Sequence, residues 1–216
     1  MSAVERFKEL AARPEFKGWP LVGSYEPKEK IPFFGQVLHY RLNTGNGVED
    51  YYSLLRHFGW SVVFGITADG NVLTKAQWKP GINGIEWGFA PGGIGRVKSD
   101  ISQEELLAKT QEYYLRETGY SGGSWKYLGY ILIETGKYRG ASPEDHGFRA
   151  HLYMATGLVQ NAEARKPNPN ELMENLPVPL NEFDDVIDSG LWVEESAVAC
   201  TLLSLRKISR STTMGK

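Results

Sequence analysis

Apolar side chains at Phe7, Leu10 and Ala11 recur at helical spacing among charged neighbours, which predicts a short amphipathic helix over residues 4–12, ending before Pro14. Such a helix is an arm that packs on the body or on a partner. From Val37 the period shortens to that of strands, predicted at residues 37–42, 51–56, 61–67 and 71–78, with Ala68-Asp69-Gly70-Asn71 as a hairpin turn. A β-meander therefore opens the domain. A glycine-rich turn at Pro91-Gly92-Gly93 is followed by a helical pattern over residues 102–117, with Ser102 at the N-cap, Glu105 three residues on in a capping-box arrangement, and Gly119 as the stop.

Two further apolar runs, residues 125–134 and 148–158, read as strands around a polar loop at 135–147 long enough to carry function. Residues 160–175, rich in Pro, Asn and Glu, read as a loop leading to a short strand at 176–178. Helices follow at 180–189 and 194–207, separated by Gly190, and the polar residues 209–216 read as a disordered tail. Strands mixed with a central acidic helix and a C-terminal helix point to an α/β/α sandwich. The division expected is an N-terminal helix and arm at 1–36, the main domain at 37–208 and the tail at 209–216.

With 216 residues, 41% of them hydrophobic, the chain is long enough for one sizeable core and reads as one elaborated domain. A formal charge of -2 gives no excess of positive charge to attract nucleic acid or an anionic membrane, so neither is expected as a partner. The single cysteine, Cys200, lies in an apolar run, where a small buried residue is the simplest reading and an internal disulfide is impossible. Residues 1–17 carry charge throughout, without the apolar core of a signal peptide, and no later segment approaches a membrane span. The expectation is a cytoplasmic protein.

Several chemistries lack their residues. His39, His57, His146 and His151 have no zinc-type spacing, and there is no Cys partner. The run Gly92-Gly93-Ile94-Gly95 lacks the Lys-Ser/Thr of a P-loop and the spacing of a dinucleotide fingerprint, and no G-x-S-x-G element occurs.

The stretch from Trp87 through the Pro91-Gly92-Gly93 turn to Arg116-Glu117-Thr118-Gly119-Tyr120 resembles the signature of the Nudix hydrolases, G-x5-E-x7-R-E-U-x-E-E-x-G-U, with U bulky and apolar. Gln77-Trp78-Lys79-Pro80 ahead of Glu86, together with Arg149, His151 and Ala155-Thr156-Gly157-Leu158, is similar to segments of the ADP-ribose pyrophosphatase branch. So is the stretch from Val178-Pro179-Leu180 to Ile187-Asp188-Ser189-Gly190. The resemblance implies a Nudix-type α/β/α sandwich with a mixed sheet, a homodimer to which the first 55 residues contribute contacts, and metal-dependent cleavage of a nucleoside-diphosphate-linked pyrophosphate. It also implies Mg2+ (or Mn2+) held by carboxylates at i, i+3 and i+4, the spacing that converges on one helix face.

The chain departs from that pattern. Aligned at Glu117 and Gly119, the motif's Arg falls on Glu112, its next Glu on Tyr113, and the first of its Glu pair on Arg116. Residues 95–102 are extra length between turn and helix, and Phe148 precedes Arg149 where many relatives carry Glu. Candidate catalytic residues are Glu117 with Glu144 and Asp145 of the polar loop. Glu117 and Glu112 are the candidate metal ligands. Lys79, Arg96, Arg116 and Arg149 are candidate phosphate contacts, and Trp78 a candidate base-stacking group. The missing carboxylates leave two readings: a weak pyrophosphate hydrolase, or a catalytically silent nucleotide-binding or regulatory module with the same fold.

Overall fold

The structure is a computed structural model that describes residues 1–17, 36–43, 46–55, 58–79, 81–90, 92–96, 101–133, 138–139, 148–162 and 172–214. Helix α1 (Ala3–Ala12) begins with a full capping box: the Ser2 hydroxyl accepts from the Glu5 amide, and the Glu5 carboxylate accepts from the Ser2 amide at 2.8 Å. Its apolar stripe docks on the chain's own body, where Phe7 stacks on Trp87 with ring centroids 4.6 Å apart.

Strands β1 (Gln36–Asn43) and β2 (Val48–Leu55) pair antiparallel, and β9 (Tyr138–Arg139) joins β2 in parallel to make a small three-stranded sheet. Among the described residues the main sheet has eight strands. It comprises β3 (Phe58–Thr67), β4 (Asn71–Lys79), β5 (Gly84–Gly88), β6 (Gly92–Arg96), β7 (Tyr120–Ser121), β8 (Ser124–Ile133), β10 (Phe148–Gln160) and β11 (Met173–Pro179). The sheet is mixed, since β10 runs parallel to β3 and the other pairs are antiparallel.

One edge of β3 is taken by β10. The other is shared: β4 pairs at Ile66↔Val72 beside the hairpin turn, and farther along β6 occupies that edge opposite Phe58, Trp60 and Ser61. The sheet thus opens into two arms, β11-β4-β5 and β6-β3-β10-β8. Gly92 and Gly93, read from the sequence as a turn, form the start of β6.

Alternation along the strands divides the core between two faces. Val62, Phe64, Ala150 and Leu152 join Phe7 of α1, Phe183 of α3 (Phe183–Asp188) and Cys200 of α4 (Glu195–Met214) on one face. Val63, Tyr153 and Ala155 face α2 (Gln103–Thr118) on the other. At Gly157 the β10–β3 register slips; its φ of 73° admits only glycine readily, and the slip turns Leu158 onto the α2 face. These layers make the α/β/α sandwich expected from the sequence.

Some boundaries differ. Strand β11 is longer than the sequence pattern suggested, because Asn175, Glu174 and Met173 pair with β4 despite their polar surroundings. Helix α4 continues to Met214, into residues read as a tail.

Candidate functional site

Helix α2 starts where the sequence places it. The Ser102 hydroxyl accepts from the Glu105 amide at 3.1 Å, and the helix ends at Gly119, whose φ of 77° is the left-handed geometry of a C-terminal cap. Its buried positions, Leu106, Thr110, Tyr113, Tyr114 and Thr118, follow helical spacing, and the two threonine hydroxyls donate back to Leu106 and Tyr114 carbonyls. The Asn175 amide on β11 donates to the Thr118 carbonyl at 2.7 Å and fastens the last turn to the sheet.

That anchoring brings Glu117 over β4. Leu73, Lys75, Gln77 and Lys79 alternate onto the α2 face of this strand. Leu73 is covered by the helix, and Lys75, just past it, is almost fully buried, its side chain 3% exposed. The Lys75 ammonium lies 3.5 Å from Glu117 Oε2 and 2.8 Å from Met173 Sδ. Arg116 donates to the second oxygen of Glu117 at 3.1 Å while its guanidinium lies over the Tyr113 ring, 5.2 Å from the centroid. Both carboxylate oxygens of Glu117 therefore face a cation.

Farther along β4, the Lys79 ammonium donates to Gln77 Oε1 at 2.9 Å and lies 3.5 Å from Glu86 Oε2 on β5. Lys75, Lys79, Arg116, Glu86 and Glu117 together leave one net positive charge on this face. Sequence reasoning reached Glu117, Arg116 and Lys79 but missed Lys75. The available signal was a lysine set between Thr74 and Ala76 in the middle of a strand, at positions 72–76 that prove to be buried, where an unpaired charge is too costly to bury.

Tyr113 stands where the resemblance calls for a carboxylate, and it is core: its ring packs on the Cα of Gly92, leaving no room there for a Cβ. The same contact holds β6 against α2 one helical turn from Glu117. Glu112 is exposed and lies five positions before Glu117, about 140° around a regular helix. Among the described residues no three His, Cys, Asp or Glu side chains gather as a metal would require.

The other candidates are dispersed. Trp78 lies on the opposite face of β4 from Lys79, and Trp87 is buried, its indole donating to Thr74 Oγ1 at 2.9 Å. Arg149, exposed near the start of β10, lies over the Tyr130 ring at 4.7 Å. Beside it, His151 Nδ1 and the Tyr127 hydroxyl share a hydrogen bond of 3.0 Å; burial, and secondarily Arg149, push His151 down to about 4, while burial raises Tyr127 above its ordinary range. Arg96 belongs to β6, with a side chain outside the described set, and Glu144, Asp145 and His146 lie outside the described residues.

The fold has a solved counterpart. The chain is similar to a protein whose crystal structure is described as an ADP compounds hydrolase, with a TM-score of 0.66 over 86% of this chain and 92% of that one, at 16% identity. At that identity the likeness is one of fold, the Nudix-type α/β/α sandwich. No family model matches the chain, and no curated protein is similar to it in sequence. Among the described residues no helix is long and apolar enough to cross a membrane.

Proposed function

We propose that this protein takes a nucleoside-diphosphate-linked compound, of the ADP-ribose or nucleotide-sugar kind, on the face formed by the C-terminal half of α2 and strand β4, and hydrolyses its pyrophosphate. The supporting observation is the likeness of fold to an ADP compounds hydrolase, combined with a net-positive strip beside the box-like helix. Arg116, with half its side chain exposed, and Lys79 reach solvent and are suited to charge-assisted hydrogen bonds with phosphate oxygens. Buried Lys75 fixes Glu117 and supplies positive potential from within.

The described residues do not fit a carboxylate cluster for Mg2+ or Mn2+. Tyr113 and Arg116 replace two of its members, and the third, Glu117, is engaged by Lys75 and Arg116. A metal requirement would therefore draw on Glu144 and Asp145, with hydrolysis slow relative to a full cluster. The engagement of Glu117 also favours a second reading, a module that binds the same ligand without cutting it. A homodimer through the β1–β2 sheet, whose exposed Val37, Val48 and Tyr52 offer apolar surface, is part of the proposal.

Incubation with ADP-ribose and nucleotide sugars in Mg2+ or Mn2+, followed by assay for nucleoside monophosphate, tests the reading. Product establishes the hydrolase. Saturable binding without product establishes the module, and neither binding nor product refutes both.

A further inference from the structure

We propose that Lys75 is a built-in cation that keeps divalent metal off Glu117 and lets this face hold a diphosphate by protein charges alone. The diphosphate half of this inference rests on the nucleotide reading above; the role of Lys75 does not.

A divalent ion and a lysine ammonium compete for the same thing, a carboxylate oxygen in a partly dry setting. Mg2+ binds oxygen at about 2.0–2.1 Å and keeps an octahedral set of ligands, so an ion on Glu117 Oε2 needs space and further oxygens on the sheet side of the helix. That side is filled by the Lys75 side chain, 3% exposed, with its Nζ 3.5 Å from Oε2. An arriving dication would lie close to a fixed positive charge that cannot swing into solvent, in a region of weak screening.

The second oxygen offers no better place. Arg116 Nε is 3.1 Å from Oε1, and the ring of Tyr113, at the next position where a converging carboxylate is wanted, is buried against Gly92. Helix, strand and side chains agree in making Glu117 a counter-ion.

For an anion the same arrangement is favourable. Glu117 balances the buried charge of Lys75 and Glu86 that of Lys79, which leaves the half-exposed guanidinium of Arg116 as the net positive charge and the partly exposed Lys79 ammonium as a further donor to phosphate oxygens. The work of a metal in neutralising a diphosphate passes to side chains.

Two titrations of the native protein and its variants decide the matter. Mn2+ is followed by its electron paramagnetic resonance signal, and ADP binding is followed by calorimetry in EDTA and in Mg2+. The native protein is expected to show no Mn2+ binding that disappears in Glu117→Gln, and Lys75→Met is expected to gain about ten-fold or more in Mn2+ affinity, a gain abolished in Lys75→Met/Glu117→Gln. ADP affinity should be the same in EDTA as in Mg2+, within about two-fold, and fall about ten-fold in Arg116→Gln. Native Mn2+ binding that is lost in Glu117→Gln overturns the role of Lys75, as does unchanged Mn2+ affinity in a folded Lys75→Met. If Lys75→Met does not fold, the native protein against Glu117→Gln still decides. ADP binding that requires Mg2+ overturns the metal-free half, whereas absence of ADP binding in both conditions refutes the nucleotide reading and leaves the Mn2+ comparison to stand.

Discussion

The ring of Tyr113 on α2 lies directly against the Cα of Gly92 on β6, at a distance that no residue with a Cβ would permit. The contact couples the glycine-rich segment to the box-like helix through packing, at a helix position where the resemblance calls for a carboxylate. The glycine is needed here for close approach between two elements.

Gly92→Ala is therefore expected to destabilise the protein by about 1–3 kcal/mol, the usual cost of overpacking a core. Tyr113→Ala should itself cost stability, but adding Gly92→Ala to it should cost little more, because the clashing ring is gone. Urea denaturation of the four proteins of this cycle measures the coupling.

Glu117→Gln leaves the Lys75 ammonium buried beside a neutral amide. With the Glu117 side chain 17% exposed, a loss of about 2 kcal/mol is expected, below the range for a fully buried pair. Lys75→Met/Glu117→Gln should recover much of that loss, since the buried charge is removed together with its Glu117 counter-ion. Chemical denaturation midpoints at unchanged slope test this.

His151 gives the fold a pH dependence. Burial lowers it to about 4 from an ordinary 6.5, so the unfolded chain binds the proton more readily than the folded one. Its contribution is present in full above about pH 6.5 and is lost as pH falls toward 4, amounting to roughly 2 kcal/mol once partial exposure is allowed for. His151→Gln should flatten stability against pH over this window, as read by thermal unfolding. His151 itself titrating near 6.5 in the native protein, by NMR with the resonance assigned through His151→Gln, would refute the assignment.

Cys200 is buried on α4, within 3.4 Å of the Tyr153 carbonyl oxygen and 3.7 Å of that of Val62, and burial pushes its thiol up to about 12. The expected outcome is no reaction with a disulfide reagent at pH 8 in the folded protein and one equivalent released on denaturation.

Phe7→Ala should loosen α1 and cost about 3–5 kcal/mol, because the ring stacks on buried Trp87. Faster proteolysis within residues 1–17, with the rest of the chain intact, would locate the change.

The helix over residues 102–117 was legible because its signals are local: Ser102 at the N-cap, helical spacing of apolar residues, and Gly119, which adopts the left-handed conformation of a C-terminal cap without a Cβ penalty. The hairpin turn at residues 68–71 and the interior position of Cys200 were legible for the same reason, since period-two alternation and an apolar run each record burial; the meander expected over residues 37–78 does not form, because β1–β2 and β3–β4 are two antiparallel pairs in different sheets. The capping box was read at Ser102 and Glu105, and there the Ser102 hydroxyl meets the Glu105 amide; the reciprocal pair forms at Ser2 and Glu5, where the sequence offers the same residue types.

What only the tertiary structure decided is what meets Glu117. The chain places Lys75 and Glu117 42 residues apart, and nothing local couples them. Their approach depends on β4 leaving the edge of β3 and on Asn175 fixing the last turn of α2 over it. The amphipathic stripe of α1 likewise showed that the helix would pack on something, while the sheet alone determined that Trp87 is the surface it meets. Hydrophobic period and caps are written in neighbouring residues; charge pairing and close approach across elements arise only when the strands take their register.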